Sequence, residues 1–189
     1  METLPETGAE SEAVSREERF TALAERVAEP LRRYVVRRTD PETAQDVLAD
    51  TLLVLWRRLD HVPADEPLPW SYGVARRCLA NATRTSKRQL RLVERLAQQP
   101  PPPEPASTDR DEDLHRALDL LSVHDREIVR LWAWEGLQPQ EMAVVLGISP
   151  NAASIRLHRA RKKLAAHLAP GRKDSAGTGQ EEIEERRPR

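Results

Sequence analysis

One cysteine, Cys78, stands in the 189 residues. A lone thiol forms no intramolecular disulfide and builds no cysteine-rich zinc site. No apolar run approaches the roughly 18 residues of a membrane span, and the acidic start of the chain does not read as a signal peptide. Glycine occurs seven times, and β-branched alternation is scarce, which leaves little material for a sheet. There is no glycine-rich phosphate loop and no His-Glu-x-x-His pattern. The five histidines (61, 115, 124, 158, 167) are scattered and mostly exposed by pattern. The carboxylate-rich "DRDED", 109–113, borders a flexible stretch, where its acids read as solvated rather than as metal ligands. These absences exclude the common routes to catalysis. The sequence predicts no catalytic residue, no bound metal or cofactor, no small-molecule substrate and no membrane. A soluble cytoplasmic protein that is not an enzyme is the expectation.

Ala, Leu, Arg and Glu dominate, and they favour helices. The predicted fold class is all-α: two small helical domains joined by a Pro-rich linker, the C-terminal one a helix-turn-helix. Residues 1–15 read as a disordered acidic leader, with Glu2, Glu6, Glu10 and Glu12 and no base. The first domain spans 16–97. In it, Phe20, Leu23, Val27, Leu31, Tyr34 and Val35 recur at helical spacing, with Pro30 expected to break or kink the run. Asp40, Pro41 and Glu42 form a helix start, and Val47, Leu48, Leu52, Leu55, Trp56 and Leu59 a second apolar stripe. A loop at 63–67 precedes a long helix from about Pro69 to Leu96. Residues 98–113 are the linker; four consecutive prolines forbid a helix there. In an extended form it reaches about 45 Å. The second domain, 114–169, holds three or four short helices. Leu114, Ala117, Leu118 and Leu121 make one stripe, Ser122 caps the next helix, and Pro139 starts a third that ends at Gly147. Ser149 and Pro150 open the last. Residues 170–189 read as a disordered tail.

Net charge is −1, so nothing in the total points to nucleic acid; its distribution does. Arg76 to Arg95 carries seven bases against Glu94 alone. Residues 149–164 carry Arg156, Arg159, Arg161, Lys162 and Lys163 and no acid. Two helices joined by a Gly-containing turn, the second basic, make the helix-turn-helix pattern. On a wheel of about 100° per residue, Ala153, Leu157, Ala160 and Leu164 share one face, narrow enough to pack on the preceding helix. Asn151, Ile155, His158, Arg159 and Lys162 lie opposite, with Arg156 and Lys163 on one flank and Ser154 and Arg161 on the other. An amide, an aliphatic carbon and guanidinium groups are the types that read adenine, the thymine methyl and guanine, at about 1–3 kcal/mol per good contact. The flanking bases suit phosphate. A solvated basic surface helix is the bland alternative, but that reading leaves the capped start and the missing acids unexplained. Ser149, Asn151, Ser154, Ile155, Arg156, His158, Arg159 and Lys162 are therefore the predicted DNA-reading set.

"PETAQDVLADTLLVLWRRLDHV" followed by "PWSYGVARRCLANATRTSKRQLRL" resembles region two of bacterial sigma factors of the extracytoplasmic-function (ECF) type. "LSVHDREIVRLWAWEGLQPQEMAVVLGISPNAASIRLHRARKKL" resembles their region four. The resemblance covers roughly residues 16–168 in the family's order. It implies core RNA polymerase and promoter DNA as partners, and it brings in an anti-sigma protein as a candidate third. It also implies that the Asp46–Trp56 helix docks on polymerase through Asp46, Asp50, Leu53 and Trp56. The long helix would contact the −10 element through Arg76, Arg77, Asn81, Arg84, Lys87 and Arg88, with the His61–Leu68 loop receiving an unstacked base. The 149–163 helix would read the −35 element as duplex. The chain departs from the family pattern at Ala49, where Gln is usual, and at Arg77, where Asn is frequent. Trp56, Trp70 and Trp132 read as core tryptophans, Trp134 is left open, and Cys78 reads as an inert core thiol. Tyr72 is the other aromatic to be weighed for base stacking. Two further classes stand beside this one: an ordinary dimeric helix-turn-helix regulator, and an adaptor that binds only proteins. Each makes a different demand on residues 16–97 or on the basic helix.

Overall fold

The computed structural model describes residues 7–94 and 109–169, which form seven α-helices and one short 3-10 turn, with no strand among them. They are α1 (Thr7–Val36), α2 (Pro41–Arg57), α3 (Pro67–Glu94), α4 (Asp109–Asp119), α5 (Val123–Ala133), α6 (Pro139–Leu146) and α7 (Pro150–Leu168); the 3-10 turn is Leu59–His61. The four prolines at 100–103 and the 170–189 tail lie outside the described residues, as do residues 1–6.

The first three helices pack on one another; α1 buries most of its predicted stripe, while of the α2 stripe Val47, Leu55 and Leu59 are buried and Leu48, Leu52 and Trp56 only half-buried. Leu23, Val27, Leu31, Tyr34 and Val35 of α1 are buried. Pro30 sits inside α1 without ending it. The proline removes one backbone hydrogen bond, to the Arg26 carbonyl, but its neighbours Val27 and Leu31 are fully buried, and that packing outweighs the loss. The helix also reaches back to Thr7, into the stretch expected to be an unstructured leader. Nothing from Thr7 to Ser15 stops a helix except Gly8, and a long packed helix downstream supplies the nucleus, so adding turns to it is cheap. In α2, Asp40 caps by accepting from the Thr43 amide at 2.9 Å. That hydrogen bond holds the Asp40 carboxyl at about 2. Ala44, Val47, Thr51 and Leu55 form the buried face, and the Thr51 hydroxyl is satisfied by donating to the Val47 carbonyl at 2.6 Å.

The remaining helices build the second half. Ala117, Leu118 and Leu121 are buried at the end of α4. The residues 109–113, expected in the linker, begin that helix instead. Acidic side chains suit a helix N-terminus, and Glu112 and Asp113 pair with Arg116 at 2.6 and 3.1 Å. Ser122 caps α5 through the Asp125 amide, at 3.1 Å. At the start of α6, Glu141 accepts from the Gln138 amide at 2.6 Å. Gly147 ends α6 with φ +66°, a conformation that costs other residues a clash at Cβ.

The two halves are in contact. α3 packs on α6, and buried side chains from Leu23 to Ala160 form one apolar cluster. Gly73 of α3 lies against the α6 backbone: a Cβ there would stand 3.7 Å from the Val144 carbonyl oxygen and the Val145 Cα. Beside it, the Tyr34 hydroxyl donates to Glu127 at 2.9 Å. Arg38 meets Glu127 at 3.2 Å and Glu135 at 2.9 Å, with its guanidinium 3.6 Å from the Tyr34 ring centre. Because 3.7 Å is ordinary van der Waals distance, Gly73→Ala fits. It is expected to stabilise the protein by about 0.5–1 kcal/mol through helix propensity. Gly73→Leu is expected to lower stability, because atoms beyond Cβ meet the α6 backbone. Urea denaturation of the two variants checks both signs.

Candidate nucleic-acid interface

The basic helix α7 starts on its cap, with Ser149 Oγ accepting from the Ala152 amide at 3.2 Å. Ala153, Leu157 and Ala160 are buried against the neighbouring helices, and Leu164 is half-buried. Small residues at two of these positions let α7 lie close to α6 and α5. The opposite face is open: Asn151, Ser154, Ile155, His158, Arg159 and Lys162 are all exposed, and Arg156 is half-buried on the flank. Ile155 exposes 44% of its surface, an unusual place for an aliphatic side chain that has packing alternatives. Sequence reasoning assigned this face correctly because a single helix of 3.6-residue period determines it.

Two bases of α7 are engaged inside the protein. Lys163 donates to Asp125 at 2.6 Å, which holds the Asp125 carboxyl below its usual range. Arg161 lies over the Trp132 ring at 4.3 Å. Trp132 was expected in the core, yet it is 41% exposed. Its ring face receives the guanidinium of an arginine instead of filling a cavity. Both bases therefore position α7 on α5, a role that charge counting alone did not separate from DNA contact.

On α3, Arg77, Asn81 and Arg84 are exposed and Arg76 is half-buried, all within three helical turns. Arg84 reaches Asn81 at 3.4 Å. Lys87 and Arg88 lie further along α3, and their side chains fall outside the described residues. Tyr72 is 3% exposed and stacks near Tyr34 at 5.0 Å between ring centres, so it is a core residue and not a stacking platform. Burial raises its hydroxyl to about 12. Trp70 and Trp134 are half-buried against the same core. Cys78 is half-buried, and burial pushes its thiol up, which keeps it protonated and unreactive.

The segment between α2 and α3 is fixed from α1. Arg26 donates to the Ala64 and Asp65 carbonyls at 3.0 and 3.2 Å. Arg16 and Arg19 pair with Asp60 at 3.6 and 2.9 Å. A cavity of about 240 Å³ opens between this loop and α1, bounded by Leu23, Leu59, Val62 and Pro67 with Arg19 and Arg26 at its edge. These three arginines were missed from the sequence, because nothing local marks a contact across some forty residues.

On α2, Asp46, Ala49, Asp50 and Leu53 are exposed, and Leu53 shows 44% of its surface. The spacing 46, 50, 53 puts two carboxylates and an aliphatic chain on one face. Trp56, expected with them, lies elsewhere: it meets Phe20 edge-on at 5.2 Å, and Arg16 stands over it at 5.2 Å. Position 56 is rotated off the two aspartates by about 80–120° at about 100° per residue, which explains the difference. Among the described residues, no group of three or more His, Cys, Asp or Glu side chains is placed to hold a metal ion. No described helix is long and apolar enough to cross a membrane.

Residues 111–164 match the family model described as Sigma-70, region 4. The chain is 36% identical over 129 residues to the RNA polymerase sigma factor CarQ of Myxococcus xanthus, an overlap of 64% of this chain and 72% of that one. It is 33% identical over 146 residues to the ECF RNA polymerase sigma factor SigF of Caulobacter vibrioides, covering 73% and 79% of the two chains. Among solved structures, the sigma factor RpoE of Bartonella quintana, in complex with the anti-sigma factor NepR, shares the fold. Its TM-score is 0.60 at 24% identity, over 79% of this chain and 96% of that one.

Proposed function

The chain belongs to the extracytoplasmic-function sigma factors of bacterial RNA polymerase, which direct polymerase to particular promoters, and from that premise we propose how its surfaces divide the work. The exposed face of α7, Asn151 to Lys162, reads the −35 element in the major groove. The observation that carries this is the burial pattern: small residues inward, base-reading types outward, bases on the flanks. Arg76, Arg77, Asn81 and Arg84, with Lys87 and Arg88, hold the −10 element by its backbone. The 240 Å³ cavity beside the 62–66 loop is suited to receive an unstacked base. Asp46, Asp50 and Leu53 form the docking face for core RNA polymerase. The protein acts in the cytoplasm, where polymerase is, with residues 16–97 as the region two-like unit and 114–169 as the region four-like unit. An anti-sigma protein is a further partner, in keeping with the complex in which RpoE was solved.

This reading requires the two halves to part. The −10 and −35 elements lie about 25 base pairs apart by position, roughly 85 Å at about 3.4 Å per pair. α3 packs on α6 and α6 on α7. Packed helix axes lie roughly 8–10 Å apart, so α7 is about two helix widths from α3. Even the whole of α3, at roughly 1.5 Å per residue about 42 Å long, does not make up the difference. The packed arrangement is therefore a free or restrained form. Promoter binding uses an extended one, with each domain adding its affinity only once polymerase holds both.

Docking is tested by size exclusion with core polymerase. The wild-type chain is expected to co-elute. Asp46→Arg with Asp50→Arg, both on exposed positions, is expected to abolish co-elution without loss of helicity. Retained co-elution of the double variant would remove α2 from the docking account.

A further inference from the structure

Where the two halves meet, a cleft of about 560 Å³ opens between α1, α3 and α5. Five arginines line it, Arg38, Arg76, Arg77, Arg84 and Arg130, and among its described lining residues Glu127 is the one acid. Glu127 is already engaged, by Tyr34 at 2.9 Å and Arg38 at 3.2 Å. Two guanidinium nitrogens are buried with no acceptor, Nη2 of Arg38 and Nε of Arg130. The Arg38 side chain is only 5% exposed. Each such orphaned donor costs free energy, and both side chains that carry them line the cleft. Burial, and then the neighbouring charge of Arg38, push the Arg130 pKa down, which is the behaviour of a site short of negative charge.

We propose that this cleft binds a small pyrophosphate-bearing anion, held between Arg130 of α5 and the Arg76, Arg77 and Arg84 row of α3. Its chemistry is that of a diphosphate: several oxygens of one sign, spread widely enough to accept from guanidinium forks on two walls. A cleft of about 560 Å³ has the size of a small-molecule site and not of a duplex, whose major groove alone is about 12 Å wide. Arg38 and Arg130 also fall outside the promoter-binding set. A ligand gripping both α3 and α5 binds the packed arrangement and not the parted one, so it raises the stability of the packed form by mass action.

The test is calorimetric titration of the full chain with inorganic pyrophosphate near physiological ionic strength, with melting temperature followed in parallel. Saturable one-to-one binding and a rise in melting temperature are expected. Arg130→Gln is expected to weaken binding roughly tenfold or more. Arg84→Gln, at an exposed position that cannot compromise the core, should weaken it by a similar factor. Arg32→Gln removes the same charge from an exposed position on α1 that does not line the cleft and that, among the described residues, pairs with Glu29; it should leave binding unchanged. No saturable binding overturns the proposal, and so does equal weakening by Arg32→Gln, which would signal diffuse charge attraction. If a short DNA duplex binds with a dependence on Arg130 and pyrophosphate fails to displace it, the cleft is a nucleic-acid surface and the proposal falls.

Discussion

Arg38→Met is expected to lower the melting temperature by roughly 10 °C. The Arg38 side chain is 5% exposed and that of Glu135 3%. Removing the guanidinium takes from Glu127 and Glu135 the buried partner they share, leaving Glu135 with the half-exposed Arg37 and Glu127 with the Tyr34 hydroxyl. Breaking a buried pair on one side costs about 3–5 kcal/mol, because the surviving charge is stranded. For a chain of this length each kcal/mol moves the midpoint by about 2–4 °C. The ring contact with Tyr34 at 3.6 Å is lost as well. Burial by itself opposes the Arg38 charge, yet Glu127, Tyr34 and Glu135 outweigh it and its pKa lies above the ordinary guanidinium value. Arg37→Met is the matched control. Arg37 also pairs with Glu135, at 3.2 Å, but from a side chain 37% exposed, and its loss should cost under about 1 kcal/mol. Thermal unfolding followed by circular dichroism reads both. Equal, small effects would mean that the seam between the halves is not held by Arg38.

Reversing charge on the reading helix should have the second large effect. Arg159→Glu with Lys162→Glu is expected to cut promoter-directed transcription about a hundredfold or more. Each lost base contact is worth about 1–3 kcal/mol, and an acid facing phosphate adds repulsion. Both positions are exposed and make no ion pair recorded in the structure, so the fold is unaffected. Binding to core polymerase should be unchanged, since the docking face is on α2. That separation distinguishes the account from an adaptor that binds only proteins, for which the double variant would behave as wild type.

What the sequence made legible was whatever a single helix decides. The caps at Asp40, Ser122 and Ser149, the turn at Gly147 and the inward face of α7 follow from local chemistry and period, and each is present. The errors arose where tertiary packing overrules local signals. Pro30 lies within an unbroken α1 because Val27, Leu31 and Tyr34 bury around it. Trp132 and Trp56 were placed by residue type, and the structure uses their faces to cover Arg161 and to carry Arg16. The seam was invisible. Tyr34 and Glu127 are 93 positions apart, and Arg38 and Glu135 are 97 apart. No pattern within either half announces that they meet. Gly73 is the closest thing to a clue, a glycine inside a helix whose Cα faces the α6 backbone, where alanine fits and a longer side chain does not.

The most direct test of the account is transcription by core RNA polymerase, with and without this chain, on a library of fragments from its own genome, with start sites mapped. The account predicts starts that depend on the chain, cluster at a discrete set of promoters sharing two elements about 25 base pairs apart, and vanish with Arg159→Glu and Lys162→Glu. No chain-dependent starts, together with a dimeric protein that shifts palindromic DNA in the absence of polymerase, would contradict it.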